Sequence, residues 1–162
     1  MKQKLHQLQR NTDRIYTIYK FYTKSPNVFV IGNQNSGTTA IAQLLSLRST
    51  RSYSHDMFSS NNCFPHTSLN SGHIHMRHIK TALWYEFGKD IIKECDLTFY
   101  LSEIRNLFPS SYFVYIVRDP RDNIRSILNR LQLPGSQPDL TNSQYATVPL
   151  GWSFVFDDQV LG

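Results

Sequence analysis

Between Gly32 and Thr39 the chain reads Gly-Asn-Gln-Asn-Ser-Gly-Thr-Thr, a Gly-x4-Gly-Thr-Thr spacing. The run Val28-Phe29-Val30-Ile31 precedes it, apolar and partly β-branched, too short for a buried helix and so expected to be a buried strand. Ala40, Ile41, Leu44 and Leu45 follow at helical spacing. A strand that turns through glycines into a helix start aims several backbone N–H groups at one point, and the helix dipole adds partial positive charge there. Ser36, Gly37, Thr38 and Thr39 therefore read as an anion-binding turn, with Thr38 where a Walker A loop places lysine. The plainer alternative is a connection that uses glycine for its turn geometry alone.

A second group of polar residues follows Tyr112-Phe113-Val114-Tyr115-Ile116-Val117, the strongest strand candidate. Apolar and aromatic throughout, it is expected to be a central strand covered on both faces. Arg118-Asp119-Pro120-Arg121-Asp122 comes next. Asp119 suits an N-cap, Pro120 the first helical position, and Asp122 a capping-box-like arrangement. Ile124, Ile127, Leu128 and Leu131 form the expected buried stripe of that helix. Arg118 at the strand end and Ser126 on the helix can then converge on one ligand, and a guanidinium fork with a hydroxyl suits a phosphate. The alternative is that Arg118 pairs with Asp119 or Asp122.

His73, His75 and His78 raise the question of a metal. His75 and His78 share a helix face and His73 lies off it, with no acidic or cysteine ligand at a familiar interval, so no metal site is expected. Cys63 and Cys95 have neither metal spacing nor the density of a disulfide framework, which favours a reducing compartment.

The elements that must position these residues follow in order. Residues 4–22 carry Leu5, Leu8, Ile15, Ile18, Tyr19 and Tyr22 between basic residues, as one interrupted helix or two short ones. Residues 1–26 are thus expected to be a helical segment packing on a domain that spans 27–162. After a helix at 40–47, the second half of 48–55 suits a strand, and 56–70 reads as a long polar loop. Gly88 looks like a helix stop after Thr81–Phe87, and Ile91-Ile92-Lys93 is a short strand candidate. Leu97, Tyr100, Leu101, Ile104 and Leu107 mark a helix that Phe108-Pro109 ends. Strands alternating with helices argue for an α/β fold, a three-layer parallel sheet with right-handed crossovers, whose ligands sit beyond the carboxyl ends of the strands.

At 162 residues the chain suits a single domain able to bury a core. Its formal charge of +5 fits an anionic ligand, nucleic acid or a membrane surface, but no run of five like charges selects among them. Nucleic-acid binding would explain the charge and leave the two motifs unexplained, so it is not expected. No apolar stretch is long enough to span a bilayer and the first residues lack a signal-peptide core, so the chain is expected to be cytoplasmic.

Val30-Ile31-Gly32-x3-Ser36-Gly37-Thr38-Thr39, together with Phe108-Pro109-x3-Phe113-Val114-x2-Val117-Arg118-Asp119-Pro120-Arg121-Asp122, resembles the sulfotransferases that use 3′-phosphoadenosine 5′-phosphosulfate (PAPS). The resemblance covers about residues 28 to 131. It implies that Ser36 to Thr39 hold the 5′-phosphosulfate and that Arg118 and Ser126, eight apart, bind the 3′-phosphate. Lys93 resembles a lysine often found on the intervening strand. Two departures stand out. Asn35 occupies the position where the family normally has Lys or Arg to stabilise charge on the leaving phosphate. Asn can donate a hydrogen bond there but brings no charge, and losing a preorganised charge donor typically costs about a hundred- to a thousandfold in rate. Lys93 or another basic side chain is then left to compensate. Family members are also usually longer, with a Gly/Arg-rich C-terminal segment at the nucleotide site, which implies a sulfotransferase-like domain incomplete at its C-terminus.

The implied reaction is metal-free, in-line transfer of a sulfuryl group from PAPS to a hydroxyl or amine, with a general base for the acceptor. His55 and Glu94 stand equal as candidates for that base, with Asp56 behind them, and Lys93 joins them as a catalytic candidate. The acceptor is left open between a carbohydrate, a lipid, a phenol and a protein side chain. Two alternatives remain: a nucleotide- or glycan-binding protein without efficient turnover, and a P-loop kinase, against which Thr38 stands in place of the phosphate-binding lysine.

Overall fold

A computed structural model describes residues 28–60 and 72–136, with Leu69 and several positions between Thr12 and Pro26. Its strands are β1 (Val28–Gly32), β2 (Tyr53–His55), β3 (Ile91–Lys93) and β4 (Tyr112–Ile116). They form one four-stranded, all-parallel sheet in the order β2-β3-β1-β4. Helix α1 (Thr38–Ser49) follows β1, and α2 (Met57–Ser60) follows β2. Next come α3 (Met76–Ala82) and α4 (Trp84–Phe87). A 3₁₀ turn (Cys95–Tyr100) leads from β3 into α5 (Leu101–Leu107), and α6 (Pro120–Leu131) follows β4. The fold is α/β, a parallel sheet flanked by helices.

The core follows from the two-residue period of a strand, which sends alternate side chains to opposite faces. Phe29, Ile31 and Ile92 face one side, where they meet Met57, Phe58, Phe87, Leu97, Ile104 and Phe108. Val30 and Ile91 face the other, against Ala42 of α1, with Ile41, Leu45, Val114 and Ile116 around them. Phe29 is fully buried and stacks on Phe113, centroids 5.2 Å apart and rings 9° from parallel. Truncating a buried Phe to Ala costs about 3–5 kcal/mol, so this ring is a principal anchor of β1.

Several expected elements are present with shifted limits. The helix after the loop starts two residues earlier than expected, at Thr38. The long loop after β2 opens with a helical turn, α2. Gly88 is the C-cap of α4, and α5 gives way at Phe108 before Pro109. The start of the helix over 97–107 is 3₁₀, capped by Glu94, whose side chain accepts from the Asp96 N–H. His75 caps α3 and its N–H donates to His78 Nδ1 at 3.1 Å. Among the described residues no group of three or more His, Cys, Asp or Glu side chains gathers in a way that could hold a metal, and no described helix is long and apolar enough to cross a membrane.

Three expectations need correction. The strand at 112–116 is an edge strand among the described residues, with Tyr112 76% and Tyr115 51% exposed. Tyrosine carries a hydroxyl that water satisfies, so β4 tolerates this exposure, while β1 pairs on both sides, with β3 and β4. In α6, Ile124 is 56% exposed and Asn123 is buried instead. Asp122 forms no capping box and pairs with Arg125 Nη2 at 2.8 Å. Of the segment 1–26, Phe21 packs on the larger core cluster while Ile15, Tyr16, Tyr19 and Tyr22 are exposed. Residues 1–11 and several further positions of that segment, Cys63, and the expected incompleteness at the C-terminus lie outside the described residues.

Candidate functional site

The loop between β1 and α1 starts at Gly32, whose φ of 148° and near neighbours both require glycine. A Cβ there would stand 2.6 Å from the Ile116 carbonyl oxygen of β4. The Gly32 N–H donates to Thr98 Oγ1 at 3.0 Å, which fixes the end of β1 against the 3₁₀ turn. Asn35 then adopts φ 59°, the left-handed region that Asn tolerates better than most residues. Gly37, at φ 100°, delivers the chain into α1.

Helix α6 and Arg118 just before it grip this loop through polar contacts. Asn123 Nδ2 donates to the Gln34 carbonyl at 2.6 Å, and Arg118 Nη1 donates to the Asn35 carbonyl at 2.8 Å. Asn35 Nδ2 donates to the Ser126 carbonyl at 3.2 Å, and Arg130 Nη1 donates to Asn35 Oδ1 at 3.2 Å. Asn123 explains the rotated helix face: the turn that buries its amide on Gln34 leaves Ile124 outside. Asp119 accepts from the Arg121 N–H at 2.9 Å as the N-cap, with Pro120 in the first helical position. That cap sets where α6 begins, two residues after Arg118.

The carboxyl ends of β2 and β3 form the floor. His55 pairs in register with Lys93, so Asp56 and Glu94 leave adjacent strands side by side. Lys93 is 4% exposed and makes an ion pair with Asp56. Burial works against the charge on Lys93, but the pull of Cys95, Asp56 and Glu94 outweighs it and raises its pKa. Burial also raises the Cys95 thiol, which lies 3.4 Å from Thr38 Oγ1, so Asp56 is the partner that holds the ammonium at neutral pH. Burial pushes the Glu94 carboxyl up to about 8, aided by the charge of Asp96 and opposed by the hydrogen bond from the Phe58 N–H at 3.1 Å.

These elements enclose a cavity of about 410 Å³, within the range of small-molecule sites. Asn35, Gly37, Thr38, Thr39, Lys93, Glu94 and Ser126 line it, as does Asp56. Three other expected residues do not. Ser36 turns its Oγ inward toward Gly32, where it is buried without a hydrogen-bond partner among the described residues. Arg118 is exposed and spends one guanidinium hydrogen bond on the loop backbone. His55 is exposed and stacks on Tyr53, centroids 5.4 Å apart, on the opposite side of β2 from the buried Ser54.

Sequence reasoning missed Gln34, Asp96 and Arg130 in the lining. Arg130 had a signal: it lies four residues after Ser126, on the same face of a helix. Gln34 and Asp96 had none, because their pairing, Gln34 Nε2 to Asp96 Oδ1 at 3.3 Å, spans 62 positions.

The N-terminal turn of α1 presents N–H groups that have no intrahelical partner, since helical pairing begins with Ile41 N–H on the Gly37 carbonyl. With Thr38 and Thr39 hydroxyls, Ser126 and two cations nearby, the arrangement suits a small multivalent anion set against a buried, proton-bearing carboxyl. No protein-family model, no curated protein and no solved structure matches the chain.

Proposed function

We propose that the cavity binds the 5′-phosphosulfate of PAPS and that the chain transfers its sulfuryl group to a hydroxyl or amine acceptor. The observation that carries this reading is the meeting of an anion-binding helix start, Ser126 of α6, Lys93 and Glu94 around one cavity. The first turn of α1, Thr38 and Thr39 would hold the phosphosulfate, and Arg118 and Ser126 the 3′-phosphate. In the transfer, the bond between sulfur and the bridging phosphate oxygen breaks and its electron pair stays on phosphate. A new sulfur–oxygen or sulfur–nitrogen bond forms to the acceptor, whose proton passes to Glu94. Glu94 suits that base better than His55, because it lines the cavity and its pKa of about 8 lies near a working pH. Asp56 is held by Lys93.

Asn35 favours a second reading, nucleotide binding without efficient turnover, since its amide serves the loop and brings no charge. One experiment addresses both. The whole chain is titrated calorimetrically with 3′-phosphoadenosine 5′-phosphate, beside Arg118→Ala, and sulfate transfer from PAPS is assayed across carbohydrate, phenol, lipid and peptide acceptors. Micromolar binding that Arg118→Ala loses, with transfer to one acceptor class, supports the enzyme. Binding without transfer supports the second reading, and no binding by a folded chain overturns both.

A further inference from the structure

From Asn33 to Thr39 the loop carries no cationic side chain. Two cations line the cavity, Lys93 and Arg130, and Lys93 is committed to Asp56. Arg130 stands one turn beyond Ser126 on α6, so both face the loop. Its guanidinium reaches the loop at Asn35 Oδ1, 3.2 Å away, while its side chain is exposed at the cavity mouth. We propose that Arg130 is the cation of the 5′-phosphosulfate site: on donor binding its guanidinium exchanges Asn35 Oδ1 for an oxygen of the phosphosulfate, and it stabilises the charge left on phosphate when the sulfur–oxygen bond breaks. Helix α6 thereby supplies from outside the loop the charge that Asn35 does not. Asn35 holds the guanidinium over the helix start until the donor arrives. This assignment rests on the reading of the cavity as a PAPS site.

Two ligands separate the assignment from that reading: 3′-phosphoadenosine 5′-phosphate, which has the 5′-phosphate, and adenosine 3′-phosphate, which lacks it. Calorimetry is run on the wild-type chain, Arg130→Met, Arg130→Lys and Arg118→Ala, each first checked for folding by circular dichroism. Arg130→Met is expected to weaken the bisphosphate about tenfold or more, the loss of one charge-assisted contact, while adenosine 3′-phosphate binds as before. Arg130→Lys keeps the charge and recovers part of the loss, and Arg118→Ala weakens both ligands. Unchanged bisphosphate binding by Arg130→Met, or an equal loss of both ligands, overturns the assignment and leaves the PAPS site standing. Failure of the wild-type chain to bind either ligand overturns the reading of the cavity and the assignment with it.

Discussion

Arg118 Nη1 donates to the backbone carbonyl of Asn35 at 2.8 Å, so the residue that ends the β4 segment and the residue at the apex of the β1–α1 loop are one unit. The Asn35 side chain adds two more ties, to the Ser126 carbonyl and to Arg130. Its left-handed φ of 59° is what aims these groups at Arg118 and at α6. Two losses are therefore separable at this position. Asn35→Ala forfeits the side-chain bonds and strains the backbone, whereas Asn35→Gly forfeits the bonds alone. Urea unfolding should place Asn35→Gly above Asn35→Ala in stability by about 1 kcal/mol, with both below wild type. The reverse order would show that backbone conformation plays no part here.

Glu94 makes stability depend on pH in the direction opposite to most carboxylates. Its ordinary value of 4.5 applies in the unfolded chain, and in the fold it rises to about 8. Between those values the unfolded chain releases a proton that the folded one keeps. The contribution is thus complete below pH 4.5 and is lost as pH rises through about 8. Within that window it falls by about 1.4 kcal/mol per pH unit. Glu94→Gln, which imitates the neutral carboxyl, should flatten that decline, so its urea midpoint overtakes wild type as pH moves from acid toward 8 and beyond. Parallel curves for the two proteins would remove Glu94 as the cause.

The same carboxyl gives a kinetic expectation. A base works in its ionised form, so kcat/KM for sulfate transfer should rise with pH through about 8 and level off above it. Glu94→Gln should lower the rate by about a hundredfold or more while 3′-phosphoadenosine 5′-phosphate binds as before. His55→Ala, an exposed residue beside Tyr53, should leave the profile in place. A profile that follows His55 instead would reassign the base.

Much of this site was legible because it is local. Val28 to Ile31, the glycines and the helical spacing after Thr39 specify strand, loop and helix within twenty residues, and Asp119-Pro120 marks the start of α6 just as directly. What was hidden depended on distant partners. The apolar spacing of α6 points to Ile124, but the amide of Asn123 finds the Gln34 carbonyl 89 positions away and turns the helix. The edge position of β4 is equally non-local, since composition alone does not say which strand pairs on both sides. His55 and Asp56 are neighbours in sequence, but only the Asp56 side chain reaches the Lys93 ammonium and lines the cavity.

Gly32 and Gly37 look equivalent in the sequence and are not. At Gly32 a Cβ would collide with the Ile116 backbone oxygen at 2.6 Å, and paired sheet backbone cannot yield as a flexible side chain does. At Gly37 nothing lies within 4 Å and only φ of 100° opposes a side chain. Gly37→Ala should therefore cost about 1–3 kcal/mol of backbone strain. Gly32→Ala should cost more than that, by separating β1 from β4. Thermal unfolding of the two variants checks this, and equal midpoints would mean that the ends of β1 and β4 do not approach so closely.

Asn123, with Ser126 and Arg130, ties α6 to the loop. Its amide is buried and its Nδ2 gives the Gln34 carbonyl a hydrogen bond of 2.6 Å. Asn123→Ala leaves that carbonyl without this donor, at a cost of about 1–3 kcal/mol. Asn123→Asp keeps the shape but sets a carboxylate oxygen against a carbonyl oxygen, so it should be the less stable of the two at neutral pH. Acid then distinguishes the mechanisms. Once protonated, the carboxyl of the Asn123→Asp variant can donate to the Gln34 carbonyl again. Its stability relative to Asn123→Ala should therefore recover as pH falls toward about 4, the ordinary range of a carboxyl. A gap between the two variants that does not change with pH would show that volume at position 123, and not the hydrogen bond, holds the loop against α6.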